Sequence, residues 1–277
     1  MLGIYVSVPV ACFRKGLARE YLETNPIPPP ATCYGFLLSL VGETQRARHV
    51  GARVTPTLLN HPPTSVVLRT VWRLKDRNYW VDPTGKAHVV PTSKKSRRDF
   101  EHWVEQQGWP KPKYEIGLGC GSNARPDYQQ LLTGVELVVW LDSSSEQGGS
   151  PTLETRVCQA LDVKARDSIT RHGGLSLGES THLVDAVSLL TDELRQGLVE
   201  RLADGRIAPR TYLRDKTGLL GLPVWVDHVG SANTVYEVGS LVQSESLQPP
   251  PVDRMPQIRA PDREARSSSR RKGRKAT

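Results

Sequence analysis

Ten residues in the second half of the chain combine glycines, serines and cations in a way that suits contact with phosphate. Arg171 and His172 precede the segment Gly173–Ser180, which holds three glycines and two serines. Glycine lets backbone N–H groups approach a ligand closely, and a neighbouring cation attracts an anion. The segment is neither GxGxxG nor a Walker A loop, since no Gly-Lys-Ser/Thr follows. A tight turn between two strands would use the same residues, so both interpretations stay open.

Lys86 and His88, together with Tyr34, are the second set that could do chemistry. Metal-independent RNA cleavage needs a base near a 2′-hydroxyl and a cation or acid near the phosphate. If this region is a strand, positions 86 and 88 share one face. A Lys-x-His pair in a polar insertion usually consists of solvent-exposed side chains without a catalytic role. We therefore favour an RNA-binding function over a catalytic one. The sequence shows no acyl-transfer nucleophile set and no carboxylate cluster for two-metal chemistry.

Charge is concentrated at the C-terminal end. The 277-residue chain has a net charge of +8, of which residues 249–277 contribute +6. The nearly balanced remainder restricts a nucleic-acid site to a local patch. Because residues 249–277 have almost no apolar periodicity, we predict a disordered basic tail there.

The spacing of the cysteines and the length of the apolar runs argue against a zinc-binding, secreted or membrane-spanning protein. None of the four cysteines, at positions 12, 33, 120 and 158, belongs to a CxxC motif or lies near a histidine pair at zinc spacing. Isolated thiols are typical of a reducing compartment. No apolar run approaches transmembrane length, and the N-terminus lacks a signal-peptide pattern. We therefore expect a cytoplasmic protein with no metal, no cofactor and no membrane contact.

The elements that must position these residues begin with a strand. Apolar residues alternate over Leu2–Val10. Pro26–Pro30 is a stiff extended segment, after which Thr32 is predicted to cap a helix that stops at Gly42. Residues 44–61 show no regular pattern.

Further along, strands at Val66–Leu74 and Val135–Leu141 flank a polar insertion, Asp76–Lys113. The turn signal Asp82–Gly85 predicts a projecting β-hairpin, and its interleaved Trp and Tyr residues favour a contact surface. A helix after Pro151 follows. The order β–α–β, insertion, β–α–β, with helices on one face, predicts an α+β ferredoxin-like or RRM-like core.

Three segments together resemble a known family. Thr24–Glu43 places a proline-rich loop and a helix with small residues just after the first strand. Gly173–Ser180 and Gly221–His228 follow at the expected places. Their order and spacing, from the first strand to about residue 241, resemble the CRISPR-associated RAMP superfamily. Within it, the match is to the Cas-five family, whose members cap the 5′ handle of the guide RNA in type I Cascade complexes.

The resemblance implies a domain layout. Residues 1–180 would form an RRM-like RAMP domain with a β-hairpin thumb inserted at about 76–113. Residues 181–248 would form a small C-terminal β subdomain that completes the sheet, followed by the tail at 249–277.

The resemblance also implies a role. The chain would be a non-catalytic subunit that binds the crRNA 5′ handle, caps the backbone filament beside the large PAM-reading subunit, and meets target DNA only through guide pairing. It would not form homo-oligomers. Some relatives cleave precursor RNA, which keeps an endoribonuclease using Tyr34, Lys86 and His88 as an alternative. A stand-alone RRM-like RNA-binding protein is a further alternative.

The expected RNA contacts are cations, glycines, a serine and one aromatic side chain near these segments and in the insertion. They are Arg14, Lys15, Tyr34, Arg46, Arg48, Lys94, Lys95, Arg97, Arg98, Arg171, His172, Gly173, Gly174 and Ser176.

Overall fold

The fold is that of a computed structural model. The structure describes residues 1–16, 21–72, 75–91, 93–113, 115–119, 124–227, 232–244 and 246–261. The chain divides into two compact units, a larger one built from residues 1–67 and 129–277 and a smaller one of residues 68–128. The larger unit includes residues on both sides of position 180, and the smaller unit extends beyond the predicted insertion at 76–113 in both directions.

The described elements are twelve strands and four α-helices. The strands are β1 (Leu2–Ala11), β2 (Tyr21–Leu22), β3 (Arg53–Leu58), β4 (Thr64–Trp72), β5 (Lys75–Val81), β6 (Ala87–Val89), β7 (Glu115–Gly119), β8 (Ala124–Asp142), β9 (Ala186–Leu189), β10 (Arg210–Arg214), β11 (Leu220–Trp225) and β12 (Val235–Gln243). The helices are α1 (Pro30–Leu40), α2 (Lys94–Gln106), α3 (Leu153–Leu161) and α4 (Asp192–Asp204), with short 3₁₀ turns at Arg166–Ser168 and Val252–Arg254.

The larger unit is built on one sheet in the order β11-β12-β10-β3-β8-β1-β9, with β2 and β4 also paired to β8. β8 pairs antiparallel with β1, in a register that matches Leu2 with Leu141. On its other side it pairs antiparallel with β3, where Arg53 faces Asp142. In sequence, α1 connects the β1 region to β3, and α3 connects β8 to β9. The fold is therefore a mixed α/β fold with a mainly antiparallel sheet.

Both faces of β8 are buried. Leu137 and Val139 belong to a core that includes side chains of α1 and α3. Trp140, on the opposite face, packs in a second core with Leu198 and Leu202 of α4. The prediction that helices lie on one face is therefore wrong. A central strand with apolar residues on both faces needs cover on both, and α4 supplies part of the second cover.

Two local boundaries also differ from prediction. α1 begins at Pro30 with Pro29 at the N-cap position, so Thr32 lies inside the helix and not at its cap. Proline is favoured at a first helical position because its missing N–H would have no helical partner there. The stretch 44–61, predicted irregular, contains β3. Pro56 interrupts its pattern, yet β10 pairs only with Thr57 and Leu58, so no partner on that side needs the missing N–H.

The smaller unit has a core of its own. Its strands pair in the order β6-β5-β7, and the Asp82–Gly85 turn is confirmed between β5 and β6. Trp80 and Trp103 each lie within 6 Å of the Trp109 ring, at centroid distances of 5.7 and 5.6 Å. The hairpin of β5 and β6 is confirmed, but the prediction that its aromatic residues form a contact surface is wrong, because these rings pack between the sheet and α2.

Residues 249–261 are ordered, which corrects the predicted start of the tail. Met255 and Ile258 are fully buried. The segment runs beside the start of β3: the Val54 N–H donates to Pro256 O (3.0 Å), and the Ile258 N–H donates to Ala52 O (2.8 Å). Single apolar residues without a period carry little sequence signal, whereas open backbone groups at a strand edge can hold such a segment. The rest of the predicted tail, 262–277, lies outside the described residues.

We expect Ile258→Ala to destabilise the larger unit by about 2–5 kcal/mol, because it removes a fully buried side chain and leaves a cavity. Urea unfolding monitored by tryptophan fluorescence would measure the change. Val252→Ala, at a position 37% exposed in the same segment, serves as the control and should change stability little. Equal effects from the two variants would contradict a packed role for this segment.

Candidate nucleic-acid interface

An open groove of about 450 Å³ lies in the larger unit beside α1. One wall comes from α1 and the turn that follows it, residues 31–46. A second comes from the glycine-rich loop, through His172, Ser176 and Gly178, and a third from Val224 to Val226 at the end of β11. The three sequence segments that carry the family resemblance therefore meet at one groove, although about 130 and 40 residues separate successive segments along the chain.

A stacked pair of side chains dominates one wall of the groove. The guanidinium carbon of Arg46 lies 4.4 Å from the centroid of the Trp225 ring. Arg46 Nη2 also donates to Val226 O (2.9 Å), and the Tyr34 hydroxyl donates to the backbone O of Arg46 (2.7 Å). The stacking and the two hydrogen bonds fix Arg46 in place. An arginine held on an aromatic face offers a cation and a planar surface, which are the two features that unstacked nucleobases use in single-stranded RNA sites.

Burial shifts the pKa values of two side chains in this wall, Tyr34 and Arg46. Tyr34 is almost fully buried, and burial raises the pKa of its hydroxyl above the ordinary value. Burial likewise lowers the pKa of Arg46, although Tyr34 and Asp227 oppose the shift. Arginine is effectively always protonated in proteins, so Arg46 is a cation, and the raised pKa of Tyr34 favours its neutral hydroxyl.

The turn that carries Arg46 is held by a buried ion-pair network. Glu43 accepts hydrogen bonds from Arg156 and from Arg48, the latter at 3.1 Å. Arg156 also donates to His49 Nε2 (3.1 Å), and His49 Nδ1 lies 3.1 Å from Glu146 Oε2. In this arrangement His49 accepts on Nε2 and donates from Nδ1, as a neutral ring does. The network connects the turn after α1 to α3.

Gly42 explains how the helix and the glycine-rich loop come together. Its φ is +66°, and a Cβ built there would lie 2.1 Å from Thr170 O. Only glycine fits this backbone conformation and close approach without strain. The chain just before Arg171 therefore packs against the end of α1.

The glycine-rich loop itself folds back as a turn. Ser176 and Leu183 form an antiparallel bridge, and the Leu177 N–H donates to His182 O (3.1 Å). The buried His182 accepts the Cys12 N–H on Nδ1 (3.1 Å), which ties the turn to the end of β1. The turn interpretation is thus correct for residues 175–184. His172 and Ser176 nevertheless face the groove.

Some of the residues predicted to contact RNA line the groove or lie next to it. Tyr34, Arg46, His172 and Ser176 line the groove. The exposed Arg171, Gly173 and Gly174 adjoin His172 in the chain. Arg48 contacts the groove residue Glu43.

The other predicted cations lie outside the groove lining. Arg14 pairs with Glu179 (3.3 Å), and Lys15 pairs with Glu23 (3.5 Å). Lys94, Lys95, Arg97 and Arg98 lie in the first turns of α2 in the smaller unit.

The residues of the catalytic alternative are engaged in local structure. His88 Nε2 lies 2.8 Å from Asp82 Oδ2, and its ring centroid lies 5.3 Å from that of Trp103. Asp82 also accepts the Lys86 N–H (3.0 Å), while hydrogen bonds from Thr84 and then His88 lower the pKa of Asp82. His88 and Lys86 belong to the smaller unit, whereas Tyr34 belongs to the larger one.

Sequence reasoning missed Trp225 and Glu43 as site residues. Trp225 follows the buried Leu222 and Val224 on β11, but the register with β12 shifts between Pro223 and Trp225, so strand alternation did not place its side chain. Glu43 gave no local signal either, because its partner Arg156 lies 113 residues away.

Within the described ranges, no group of three or more His, Cys, Asp or Glu side chains could hold a metal ion. None of the helices described is long and apolar enough to span a bilayer.

The network makes a pH-dependent prediction. Burial alone would raise the pKa of Glu43, but hydrogen bonds from the Gln45 N–H and from Arg156 outweigh it and lower the pKa to about 2. The ionised form is thus favoured in the folded state. Its contribution is present above pH 4.5 and is lost as the pH falls toward about 2. We expect Glu43→Gln to lose about 3 kcal/mol at pH 7 and to show a flatter dependence between those pH values.

Urea unfolding as a function of pH would test this prediction. Glu200→Gln, on the exposed face of α4, is the matched control and should follow the wild-type curve. If Glu43→Gln also followed that curve, the ion pair would not stabilise the turn.

Comparison with known proteins places the chain in a family. No family model matches the sequence. A curated relative, the CRISPR-associated protein Cas5 of Myxococcus xanthus (strain DK1622), is 43% identical over 260 residues, which cover 93% of this chain and 97% of the relative.

Two solved structures show weaker likeness. One, described as a CRISPR RNA-guided surveillance complex, has a TM-score of 0.49 at 12% identity, with 88% of this chain and 90% of that chain covered. The other, described as a crystal structure of a Cas protein, has a TM-score of 0.43 at 12% identity, with 92% and 97% covered. The sequence relative alone carries the assignment, because its identity is high over nearly the full length of both chains. The chain belongs to the Cas5 family of CRISPR-associated proteins.

Proposed function

We propose that this chain is a non-catalytic subunit of a type I CRISPR surveillance complex that binds the 5′ handle of the crRNA. It would cap the filament of backbone subunits next to the large PAM-reading subunit. The observation that carries the proposal is the groove at which the three family segments meet, with Arg46 stacked on Trp225. An open concave groove lined by apolar residues and a few polar groups is the usual kind of place for a ligand or partner.

The chemistry of the groove suits a single strand with splayed bases. Arg46 and Trp225 offer a stacking surface, and the exposed Arg171 and His172 next to the groove can meet phosphates. Ser39, Thr44 and Ser176 add hydroxyl groups that can donate to or accept from a base edge. The groove would therefore bind both the backbone and the bases of the handle.

The strand order supports an interpretation of the core as ferredoxin-like, or RRM-like. With β1, β3, β8 and β9 taken as the four core strands, the sheet order β3-β8-β1-β9 and the helices α1 and α3 match a βαββαβ unit. In this interpretation β10–β12 extend the sheet beyond β3. The smaller unit, inserted between β3 and the paired part of β8, would take the place of the thumb.

The proposed binding partners are inferred from the low net charge of the body and from the family to which the chain belongs. A body with a net charge near +2 fits a subunit whose surface is largely covered by other proteins and not a free RNA-binding protein. We propose the backbone subunits, the large subunit and the crRNA as cytoplasmic partners, with target DNA met through guide pairing. No homo-oligomer, metal or cofactor is part of the proposal.

The endoribonuclease is the second candidate, and the engagement of His88 disfavours it. A general base needs access to a 2′-hydroxyl, but His88 contacts Asp82 and three aromatic rings. The raised pKa of the Tyr34 hydroxyl also makes it a poor source of a phenolate. These contacts support a structural role for both side chains.

The groove makes the first functional prediction. We expect Trp225→Ala to weaken binding of the 5′ handle about 10-fold or more, because the aromatic face that holds Arg46 in its stacking position is lost. Trp225→Phe should retain most of the affinity, since it keeps an aromatic face. Fluorescence anisotropy with labelled handle RNA, using complex purified after co-expression with the neighbouring subunits, would measure both. Unchanged affinity for Trp225→Ala would exclude the groove as the handle site.

Cleavage is tested separately. Purified chain incubated with a labelled repeat–spacer precursor RNA in EDTA should leave the RNA intact. Guide RNA should instead co-purify only with the multi-subunit complex, with its 5′ tag protected from nuclease. Cleavage by the chain alone that disappears in His88→Ala or Tyr34→Phe would establish the endoribonuclease. Tight binding of unrelated RNA by the monomer would establish the stand-alone RNA-binding protein.

A further inference from the structure

A second cavity of the larger unit, about 340 Å³ in volume, has a lining that none of the sites above uses. It lies where the loop before α1, the β3–β4 connection, the middle of β8 and the first residue of β10 come together. Its lining holds an arginine, a histidine and a glutamine but no carboxylate. We call it the Arg210 pocket.

Arg210 has more donors than acceptors around it. Its backbone is fixed in the sheet, opposite Leu58 on one side and Gln243 on the other. Among the described residues, its Nη2 makes one long hydrogen bond to Asn60 O (3.5 Å), and its buried Nε has no hydrogen-bond partner. Buried donors in folded proteins are usually satisfied, so an acceptor from outside this part of the chain would complete the site.

Two other side chains add donors. The Gln130 carboxamide oxygen accepts the Thr24 N–H (3.1 Å), which orients the amide and leaves its NH₂ group able to donate. The exposed His61 also lines the pocket, and within the described ranges it makes no hydrogen bond or ion pair. A cavity with these donors and no carboxylate selects an anion, and the planar guanidinium matches the oxygens of a phosphate.

The position of the pocket indicates where the phosphate comes from. Pro26 lines the Arg210 pocket, whereas Ala31 lines the groove beside α1. The chain between them is the proline-rich segment, and Pro29 has φ −59° and ψ 150°, in the polyproline range. The chain bends at Pro26 and Ile27, and α1 begins at Pro30, so this segment is not one straight spacer. Five residues span at most about 18 Å, which keeps the two cavities within reach of one short RNA strand.

We propose that the Arg210 pocket binds a backbone phosphate of the RNA strand whose bases occupy the groove. The identity of the strand rests on the proposed function, whereas the presence of an anion site does not. The short chain between Pro26 and Ala31 then limits the distance between the phosphate contact and the base contact. An acidic side chain of a partner protein is the competing occupant, and the experiments separate the two.

The first experiment uses inorganic phosphate and no RNA. Thermal unfolding of the full chain is followed as phosphate replaces chloride at constant ionic strength, for wild type, Arg210→Gln and Arg210→Lys. Arg166→Gln is the control, because Arg166 is an exposed arginine of the same unit outside the pocket. We expect phosphate to raise the Tm of wild type and the control by about 3 °C more than that of Arg210→Gln. Equal shifts in all variants would overturn the anion site.

The double variant His61→Ala, Gln130→Leu is a second test of the anion site if Arg210→Gln does not fold. It leaves Arg210 in the sheet and removes two other donors, so its phosphate-dependent shift should be smaller than that of the control. A shift equal to that of the control, in a folded double variant, would also overturn the site.

The second experiment identifies the strand. The association constant of labelled handle RNA for the assembled complex is measured between 50 and 200 mM salt. The salt slope is the slope of its logarithm against the logarithm of the salt concentration. Loss of one phosphate contact in Arg210→Gln should reduce the salt slope by about 0.7, while the Trp225→Ala slope stays at the wild-type value. A phosphate-dependent Tm shift without any change in slope would overturn the RNA assignment in favour of a protein carboxylate. If wild type did not bind the handle, the proposed function would fail while the phosphate experiment still decided the anion site.

Discussion

The fold depends on a central strand that is buried on both faces. β8 lies between β1 and β3, and its side chains enter two separate cores, with Leu137 and Val139 on one side and Trp140 on the other. Each face must therefore be covered. α1 and α3 cover the first face, and α4 with the C-terminal segment around Met255 covers the second. The position of every element around the groove follows from this arrangement, because α1 can pack on only one of the two faces.

Covering the second face has a consequence for binding. In an RRM, RNA stacks on aromatic side chains of an open sheet face. Here the only tryptophan of the central part of β8, Trp140, is 1% exposed and donates its indole N–H to Thr57 (2.9 Å). One aromatic residue that lines the groove is Trp225, on β11 beside α1. The proposed interface therefore lies along the edge of α1, where the turn held by Glu43 and Arg156 presents Arg46.

Particular residues show how far sequence reasoning could go. The alternation in β1 and β11 and the turn at Asp82–Gly85 are local, and the structure confirms them. Tyr34, Arg46, His172 and Ser176 were selected from their segments, and they meet in the groove. β3 escaped prediction because Pro56 breaks its pattern and its pairing partners are distant in sequence. The order in residues 249–261 escaped because it depends on an open strand edge, which no local pattern reports.

The sequence by itself determined several features that depend on near neighbours: the periods of β1 and β11, the helix after the prolines, and the turn at Asp82–Gly85. It also held an order of motifs specific enough to indicate the family. What only the tertiary structure decided were the meetings between distant residues. Glu43 finds Arg156 and Arg46 finds Trp225 through packing of α1 on the sheet, and His88 is engaged by Asp82 within a small aromatic core. The physical reason is that burial and ion pairing depend on which surfaces come together, and a side chain's chemistry is set by those partners as much as by its type.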